Sequence, residues 1–394
     1  MCQCRRNPYI TDNPFWIQQE YRAFAHDDIE SFHRSIPGYR PTPLIGLPAL
    51  AERLDLGELV VKDESHRFGL KAFKAMGASY AIFRFVKEQW ERQLGVQFEL
   101  TNLYQAGLLN QLDLRPLCTA TDGNHGRAVA WFAGLIGQRA VIYVPAGTVQ
   151  ARIDNIRREG AQVVIIDGDY DETVRRMAGD AERHGWHVIS DTSYPGYTQV
   201  PAWIMAGYTT MFREITQARQ ALNVPGHFTH VFLQSGVGSF AASAAWYFTH
   251  HNDRPRLIAV EPTQADCLME SIRHGDGQAR VSRGSSRTIM AGLNCGTPSL
   301  IAWPLIRDSY NYFMTISDEY ARKAMRRYYY PESADPRVTS GESGAAGLAA
   351  LLALIENPGL SETKHNLGLG SDSRVLLFNT EGDTDPDNFA AIVK

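Results

Sequence analysis

The 394-residue sequence has no excess of either charge, since 39 lysine and arginine residues stand against 43 aspartate and glutamate residues, a formal net charge of −4. A chain this close to neutral lacks the basic surface with which proteins bind nucleic acid or anionic membranes. No apolar run approaches the roughly 20 residues of a membrane-spanning helix, and the first residues lack the apolar core of a signal peptide. We therefore expect a cytoplasmic protein that binds neither nucleic acid nor a membrane.

Cysteine is also scarce, with five residues in the whole chain. This usage suits a reducing compartment. Cys2 and Cys4 are spaced C-x-C, and no second pair or histidine cluster follows, so no zinc site is predicted. The sequence also lacks G-x-G-x-x-G and the Walker G-K-[ST], which argues against a dinucleotide-dependent oxidoreductase and a P-loop nucleotidase.

The length and the order of predicted elements indicate two α/β domains. A chain of 394 residues exceeds the size at which a single core stops growing. Between residues 116 and 190 four short apolar strands alternate with helices, the signature of parallel βαβ units. We expect a small α/β domain over 84–198 and a large domain formed by 1–83 and 199–394, each with three layers.

Three stretches outside this alternating pattern carry separate expectations. Residues 1–40 are polar and aromatic and predict an extended arm on the surface. Residues 97–112 continue a helical pattern. Residues 357–373 are polar and contain glycine, which predicts a surface loop.

The segment 62–81 (KDESHRFGLKAFKAMGASYA) passes from an apolar strand through a charged turn into a helix rich in small residues. Lys71 and Lys74 are predicted at the start of that helix. Burial against Ala, Phe and Met disfavours the ammonium form, and a neutral amine can attack a carbonyl. The alternative is a solvated helix start with two surface lysines.

Three turns follow predicted strands and carry polar side chains. In 119–126 (TATDGNHG), Asp122 is a candidate acid or base and Asn124 a candidate hydrogen-bonding group, although either could simply cap a helix. The glycines of 235–239 (SGVGS) could cradle a phosphate at a helix N-terminus, or merely allow a tight turn. In 379–385 (NTEGDTD) a hydroxyl could contact a ligand ring. One lysine and three such turns together suit pyridoxal phosphate.

The motifs KDESHRFGLKAFKAMGA, TATDGNHGRAVAW, SGVGS, SGESGAAG and NTEGDTDP, in this order, resemble the fold type II (tryptophan-synthase-β-like) pyridoxal phosphate enzymes. VISDTSYPGY (188–197) and MAGLNCGTPS (290–299) resemble the branch of that family that acts on 2,3-diaminopropionate. Ordinary threonine dehydratases of the family carry S-F-K-x-R-G-A and S-x-G-N-H instead. The resemblance runs from about residue 39 to residue 392.

The resemblance implies roles for individual residues. Lys74 is in register with the lysine that binds the cofactor covalently, whereas the family usually has Asn at the position of Lys71. The residues expected to contact the cofactor are Lys74, Asn124 (phenolic oxygen), Gly236, Val237, Gly238 and Ser239 (phosphate), and Asn379 or Thr380 (pyridine nitrogen). The residues expected to contact the substrate are Thr121, Asp191 and Glu342. Cys267 and Cys295 match a cysteine pair of the family that could form a disulfide.

The resemblance further implies elimination of ammonia from D- and L-diaminopropionate to give pyruvate. Because both enantiomers react, a base is needed on each face, and these would be Lys74 and Asp122. An ordinary dehydratase has no carboxylate at the position of Asp122. A charged carboxylate there suits a substrate with a cationic β-ammonium better than one with a neutral hydroxyl. The alternatives are a serine or threonine dehydratase, a β-replacement enzyme of the same fold, or a non-catalytic regulator. A homodimer is the family expectation.

Overall fold

The computed structural model describes residues 2–12, 14, 16, 22–105, 107–121, 123–224, 226–251 and 254–394. The chain divides into two compact units. The first comprises Met1–Tyr21, Pro41–Ala72 and Met211–Lys394, and the second comprises Arg22–Arg40 and Phe73–Thr210. The second unit thus includes segments that the sequence pattern places in the large domain, and the domain boundaries expected from the sequence stay a prediction.

The described residues form eleven strands and fourteen α-helices, numbered in chain order. The strands are β1 (Gln3–Arg6), β2 (Leu44–Gly46), β3 (Glu58–Asp63), β4 (Leu117–Ala120), β5 (Ala140–Pro145), β6 (Gln162–Ile166), β7 (His187–Val188), β8 (His230–Gln234), β9 (Arg256–Pro262), β10 (Tyr312–Ile316) and β11 (Arg374–Asn379). The α-helices are α1 (Asp28–Ser35), α2 (Pro48–Arg53), α3 (Lys74–Leu94), α4 (Asn124–Leu135), α5 (Gln150–Arg158), α6 (Tyr170–His184), α7 (Gln199–Ala221), α8 (Ser239–His250), α9 (Cys267–His274), α10 (Ala302–Ser309), α11 (Asp318–Tyr329), α12 (Ala346–Glu356), α13 (Ser361–Leu367) and α14 (Pro386–Val393). Within the described part of the chain, no helix has the length and apolar character needed to cross a membrane.

The first unit is built on a seven-stranded sheet in the order β1-β10-β9-β8-β11-β3-β2. The five inner strands run parallel, while β1 pairs antiparallel with β10 and β2 antiparallel with β3. Parallel strands covered on both faces are apolar along their length, and β11 (RVLLFN) follows this rule. The helix α12 (AGLAALLALIE) is apolar all round, and it is accordingly buried over most of its length in the core.

The second unit contains a four-stranded sheet in the order β6-β5-β4-β7, in which every pairing is parallel. Cys118 of β4, Tyr143 of β5 and Met177 of α6 pack in its core. The alternation of short strands and helices predicted from the sequence is confirmed. The carboxyl end of β4 leads into the turn that precedes α4, which is the position expected for ligand-binding residues in such sheets.

The segment between β3 and α3 differs from the predicted helix start. A 3-10 helix covers Glu64–Gly69, and Phe68, Gly69 and Lys71 all have positive φ (49°, 73° and 59°). The chain therefore turns sharply in this segment, and α3 begins only at Lys74. The prediction that both lysines stand at the helix start is wrong for Lys71.

Buried ions hold this turn in the first unit. Lys62 Nζ lies 2.5 Å from Glu214 Oε2, and Arg67 donates to both carboxylate oxygens of Glu214 at 2.9 and 2.8 Å. Arg67 also donates to Glu64, whose Oε1 accepts from the Thr42 hydroxyl at 2.6 Å. Burial alone would raise the pKa of Glu214, but the charges of Arg67 and Lys62 outweigh it and lower the pKa to about 2. The two cations and two anions thus neutralise one another inside the protein.

Helix α3 stops earlier than the sequence pattern suggests. Gly95 follows it in the left-handed conformation, with φ of 68°, and its N–H caps the carbonyl of Glu91. The continuous helical pattern predicted over 97–112 is wrong, because two short 3-10 helices at Leu100–Tyr104 and Leu108–Gln111 stand there instead.

Two stretches predicted to be irregular contain regular structure. The arm 1–40 includes β1 at the edge of the large sheet and the amphipathic helix α1, which buries Ile29, Phe32 and His33. The loop 357–373 contains α13. Both helices are short and mostly polar, so their composition resembles that of a loop, and a single buried face is the only sequence signal that distinguishes them.

Candidate active site

Lys74 is the first residue of α3, and its ammonium forms an ion pair with Asp191 Oδ2 within the second unit. Both side chains are largely buried, with 19% and 14% of their surfaces exposed. Asp191 follows the short strand β7, so the pair joins a helix N-terminus to a strand end of the small sheet. The lysine that the resemblance selects is therefore the buried one.

Close packing of α3 on α7 defines the surroundings of Lys74. A Cβ on Gly77 would lie 2.6 Å from Cε1 of Tyr208, and a Cβ on Gly207 would lie 2.5 Å from the carbonyl oxygen of Met76. Both positions therefore require glycine. Burial raises the pKa of the Tyr208 hydroxyl, and the positive charge of Lys74 partly opposes this shift. Tyr208 had no distinguishing signal in the sequence, because it lies within a long apolar helix.

His125 is the third polar group beside this pair. Its Nε2 lies 2.8 Å from the carbonyl oxygen of Ile189, and its Nδ1 lies 4.0 Å from Asp191 Oδ2. Burial lowers the pKa of His125, with the Lys74 charge adding to the effect and Asp191 opposing it. Burial alone would raise the pKa of Asp191, but the charge of Lys74 and its hydrogen bond outweigh burial and hold the pKa well below its usual range. The site thus combines a carboxylate, an ammonium and a neutral imidazole.

The turn before α4 carries the other predicted residues of this unit. Thr121 is buried, and its Oγ1 accepts hydrogen bonds from the N–H groups of Gly123 and Gly126 at 3.1 and 3.3 Å. Its hydroxyl therefore shapes the turn, and its contact with substrate stays a prediction. Asn124 begins α4 and is partly buried. Asp122 lies outside the described residues.

In the first unit the glycine turn 236–239 follows β8 and leads into α8, which begins at Ser239. Gly238 has φ of 96°, which favours glycine, and a Cβ on Gly236 would lie 2.8 Å from Cys295 Sγ, so a larger residue at 236 would displace that side chain. The Val237 carbonyl accepts from the N–H of Ser299 at 2.8 Å, which fixes the turn from one side. The N-terminus of α8 directs N–H groups and the positive end of the helix dipole at this turn, which suits an anion such as phosphate.

The turn after β11 distinguishes its two candidate residues by their hydrogen bonds. Asn379 uses both amide protons, donating to Asp63 Oδ1 at 2.7 Å and to the Thr339 carbonyl at 2.9 Å. The Thr380 hydroxyl oxygen instead accepts from Gln234 Nε2 at 3.1 Å. A hydroxyl that accepts from an amide keeps its own proton to donate.

Glu342 and the cysteines complete the set of predicted residues in the first unit. Glu342 is buried, and Asn388 of α14 donates to its carboxylate. All five cysteines lie in the described part of the chain, and Cys267 and Cys295 are not joined in a disulfide there. Cys267 Sγ instead donates to the Gly236 carbonyl at 3.7 Å, and burial raises the pKa of this thiol.

The sequence profile of the family described as "Pyridoxal-phosphate dependent enzyme" matches residues 36–369. The chain belongs to this family. A diaminopropionate ammonia-lyase of Salmonella typhimurium is 41% identical over 375 residues, which cover 93% of this chain and 91% of the relative.

Two crystal structures of diaminopropionate ammonia lyase from Escherichia coli are also similar to this member of the pyridoxal-phosphate dependent family. The complex with D-serine is 37% identical, with a TM-score of 0.90 over 100% of this chain and 97% of that chain. The complex with an aminoacrylate-PLP azomethine reaction intermediate is 37% identical, with a TM-score of 0.88 over 100% and 97% of the two chains. The predicted fold class and the pyridoxal phosphate cofactor are confirmed.

The side chains of this pyridoxal-phosphate dependent enzyme fit the cofactor chemically. The second unit supplies a buried lysine amine, which can bond to the cofactor's aldehyde carbon. The first unit supplies a glycine turn at a helix N-terminus and, in Thr380, a hydroxyl with a proton to donate. The sequence motifs assign no role to His125, Tyr208 or Gln234. Of these three residues, only His125 could have been suspected from the sequence, because it is adjacent to Asn124 in the motif TATDGNHG.

Proposed function

We propose that the chain is a 2,3-diaminopropionate ammonia-lyase that converts D- and L-diaminopropionate to pyruvate and ammonia. The relatives that carry this name match nearly the full chain at about 40% identity. The observation that carries the proposal is the ion pair of Lys74 with Asp191, because it identifies a buried carboxylate that already binds an ammonium group. A substrate with two amino groups suits such a carboxylate better than one with a neutral hydroxyl.

We propose cofactor contacts for all residues of the predicted set except Asn379. Lys74 carries the cofactor, the 236–239 turn binds its phosphate, and Asn124 meets its phenolic oxygen. Thr380, rather than Asn379, donates to the pyridine nitrogen, because the Asn379 amide protons are already used. When bound, pyridoxal phosphate supplies the electron sink that makes the substrate's α-proton removable.

The protein's own groups perform the remaining steps. Lys74 takes the α-proton on one face and Asp122 on the other, so that both enantiomers react. A positive charge beside Asp191 holds the pKa of its carboxyl below the usual range, as the Lys74 ammonium does in the structure. A substrate ammonium in the same place has the same effect, and the ionised carboxylate in turn keeps that amino group in the ammonium form. An ammonium is the better leaving group, since the Cβ–N bond can then break with release of neutral ammonia.

The competing function within the same fold is dehydration of serine or threonine, or β-replacement. The deciding experiment measures pyruvate formation by the purified enzyme from D- and L-diaminopropionate and from D- and L-serine, at matched concentrations. We expect diaminopropionate to give the higher kcat/KM for both enantiomers. A clear preference for serine would contradict the proposal and favour a dehydratase.

Assembly and location are proposed on the resemblance alone. We propose a homodimer in the cytoplasm. Light scattering of the purified chain at several concentrations tests the assembly, and a mass of one chain throughout would contradict it. A non-catalytic regulator would bind diaminopropionate without releasing pyruvate, and the same substrate panel separates it from the enzyme.

A further inference from the structure

The hydrogen bond of His125 to a backbone carbonyl shows which nitrogen of its imidazole ring carries the proton. Nε2 lies 2.8 Å from the Ile189 carbonyl oxygen, and a carbonyl can only accept, so Nε2 carries the proton. Nδ1 of the neutral ring is therefore an acceptor. It is buried, and among the residues that the structure describes it has no hydrogen-bond partner. A buried acceptor without a donor is costly, which indicates that a ligand supplies the donor.

The carboxylate next to Nδ1 indicates what kind of group can donate to it. Nδ1 lies 4.0 Å from Oδ2 of Asp191, the same oxygen that binds the Lys74 ammonium. A neutral imidazole nitrogen and an ionised carboxylate oxygen have no proton between them. A group that satisfies both must therefore donate at least two protons from one atom, as an ammonium or a water molecule does and an alcohol hydroxyl does not.

We propose that His125 Nδ1 and Asp191 Oδ2 together bind the β-ammonium of the substrate, which makes His125 a substrate-binding residue. This inference rests on the proposed function. In the structure the Lys74 ammonium lies against Asp191. When the substrate is bound, its ammonium takes over that contact and adds the one to His125. Elimination then breaks the Cβ–N bond, the electron pair stays on nitrogen, and ammonia leaves with its three hydrogens while His125 remains neutral.

The test compares two ligands that differ only in carrying a β-ammonium or a β-hydroxyl. β-Alanine carries a carboxylate and a β-ammonium, and 3-hydroxypropionate carries a carboxylate and a β-hydroxyl; neither has the α-amino group needed for reaction. Calorimetric titration of the holoenzyme should show that β-alanine binds more tightly. In the variant His125→Gln the amide nitrogen can still donate to the Ile189 carbonyl, but no acceptor stands at the position of Nδ1. This variant should weaken β-alanine binding about tenfold, the size expected for a hydrogen bond to a charged group, and leave 3-hydroxypropionate within about threefold.

A matched control is available within the chain. His230 is also buried and also donates Nε2 to a backbone carbonyl, that of Leu367 at 2.8 Å, but its Nδ1 is already bonded to the Thr229 hydroxyl. The variant His230→Gln should therefore leave the ratio of the two affinities unchanged. Equal losses for both ligands in His125→Gln, or no preference for β-alanine in the wild type, would overturn the proposal.

A second measurement does not depend on the stability of the variant. Nitrogen NMR of the 15N-histidine-labelled wild-type holoenzyme should show a neutral His125 with the proton on Nε2, and its Nδ1 signal should move on adding β-alanine but not 3-hydroxypropionate. A protonated Nδ1, or the same response to both ligands, refutes the assignment. If the enzyme releases no pyruvate from diaminopropionate, the proposed function fails; the ligand pair still tests the two acceptors by themselves.

Discussion

Lys71 donates a hydrogen bond to Asp383 at 2.7 Å, and its carbonyl accepts the N–H of Gly382 at 2.9 Å. The segment that precedes Lys74 is thereby attached to the turn that follows Thr380, within the first unit. Lys71 is 45% exposed at its side chain, whereas Lys74 is buried against Asp191 in the second unit. The two lysines of one short segment thus have separate carboxylate partners. Lys71, which replaces the asparagine usual in the family, forms a structural ion pair with Asp383.

Replacing each lysine by alanine should separate these roles. Lys74→Ala should abolish pyruvate formation and the visible absorption band of the covalently attached cofactor, because no amine remains at α3. Lys71→Ala should keep the absorption band and lose less than about 1 kcal/mol of stability, as exposed ion pairs contribute little. Absorption spectra and thermal unfolding of both variants check this; loss of the band in Lys71→Ala alone would reverse the assignment.

Asp122→Asn tests the proposal of a second base. Asparagine has a similar shape but cannot accept a proton, so turnover of D-diaminopropionate should fall by at least about a hundredfold, the usual effect of a general base. Turnover of the L-enantiomer, assigned to Lys74, should fall far less. Steady-state kinetics with each enantiomer provides the measurement, and equal losses would show that Asp122 has a structural role instead.

The buried ion cluster should be sensitive to the loss of one member. Glu214→Ala leaves Lys62 and Arg67 without their shared carboxylate in a buried environment, and we expect a loss of about 3–5 kcal/mol in the free energy of unfolding. The matched control is Arg34→Ala, which breaks the surface pair of Arg34 with Glu30 and should cost less than about 1 kcal/mol. Denaturant unfolding compares the two, and similar losses would contradict the assigned energetics.

Glu261 predicts a pH dependence of stability. The side chain is fully buried, and burial raises its pKa to about 8 even though it accepts hydrogen bonds from the N–H groups of Leu268 and Met269, which lower the pKa. A carboxyl whose pKa is higher in the folded state contributes stability that is complete below its ordinary pKa and is lost as the pH rises through 8.

The wild type should therefore lose about 1 kcal/mol between pH 7 and pH 9 from this group alone. Glu261→Gln keeps the acceptor oxygen for both N–H groups and does not ionise, so it should lack this loss. Unfolding curves of the two proteins across this pH range make the comparison. Parallel stability profiles would mean that Glu261 does not change its ionisation on folding.

Much of the fold and part of the site could be predicted from the sequence. The strands β3, β8 and β11 are runs of apolar residues that end in glycine, asparagine or hydroxyl-bearing turns, and both features are local. Lys74 could be chosen over Lys71 because the surrounding motif fixes its register. Short polar elements such as α13 could not be predicted, since only tertiary packing makes them helical.

The rest of the site depends on contacts between residues distant in sequence. Glu214 meets Lys62 across 152 positions, and nothing near either residue indicates the other. The tautomer of His125 is set by a carbonyl 64 residues away. Only the folded chain determines which polar atoms have hydrogen-bond partners and which atom remains for a ligand. No local sequence pattern shows this.

The strand β1 has a consequence for aggregation at the edge of the seven-stranded sheet. Its four residues pair antiparallel with β10, whose residues Tyr312–Ile316 are buried throughout. β1 itself ends in Arg5 and Arg6, and charges of this kind discourage further strands from adding at a sheet edge. Removal of the first six residues would uncover the apolar β10 edge, so a shortened chain should aggregate through strand addition even if its active-site residues remain folded.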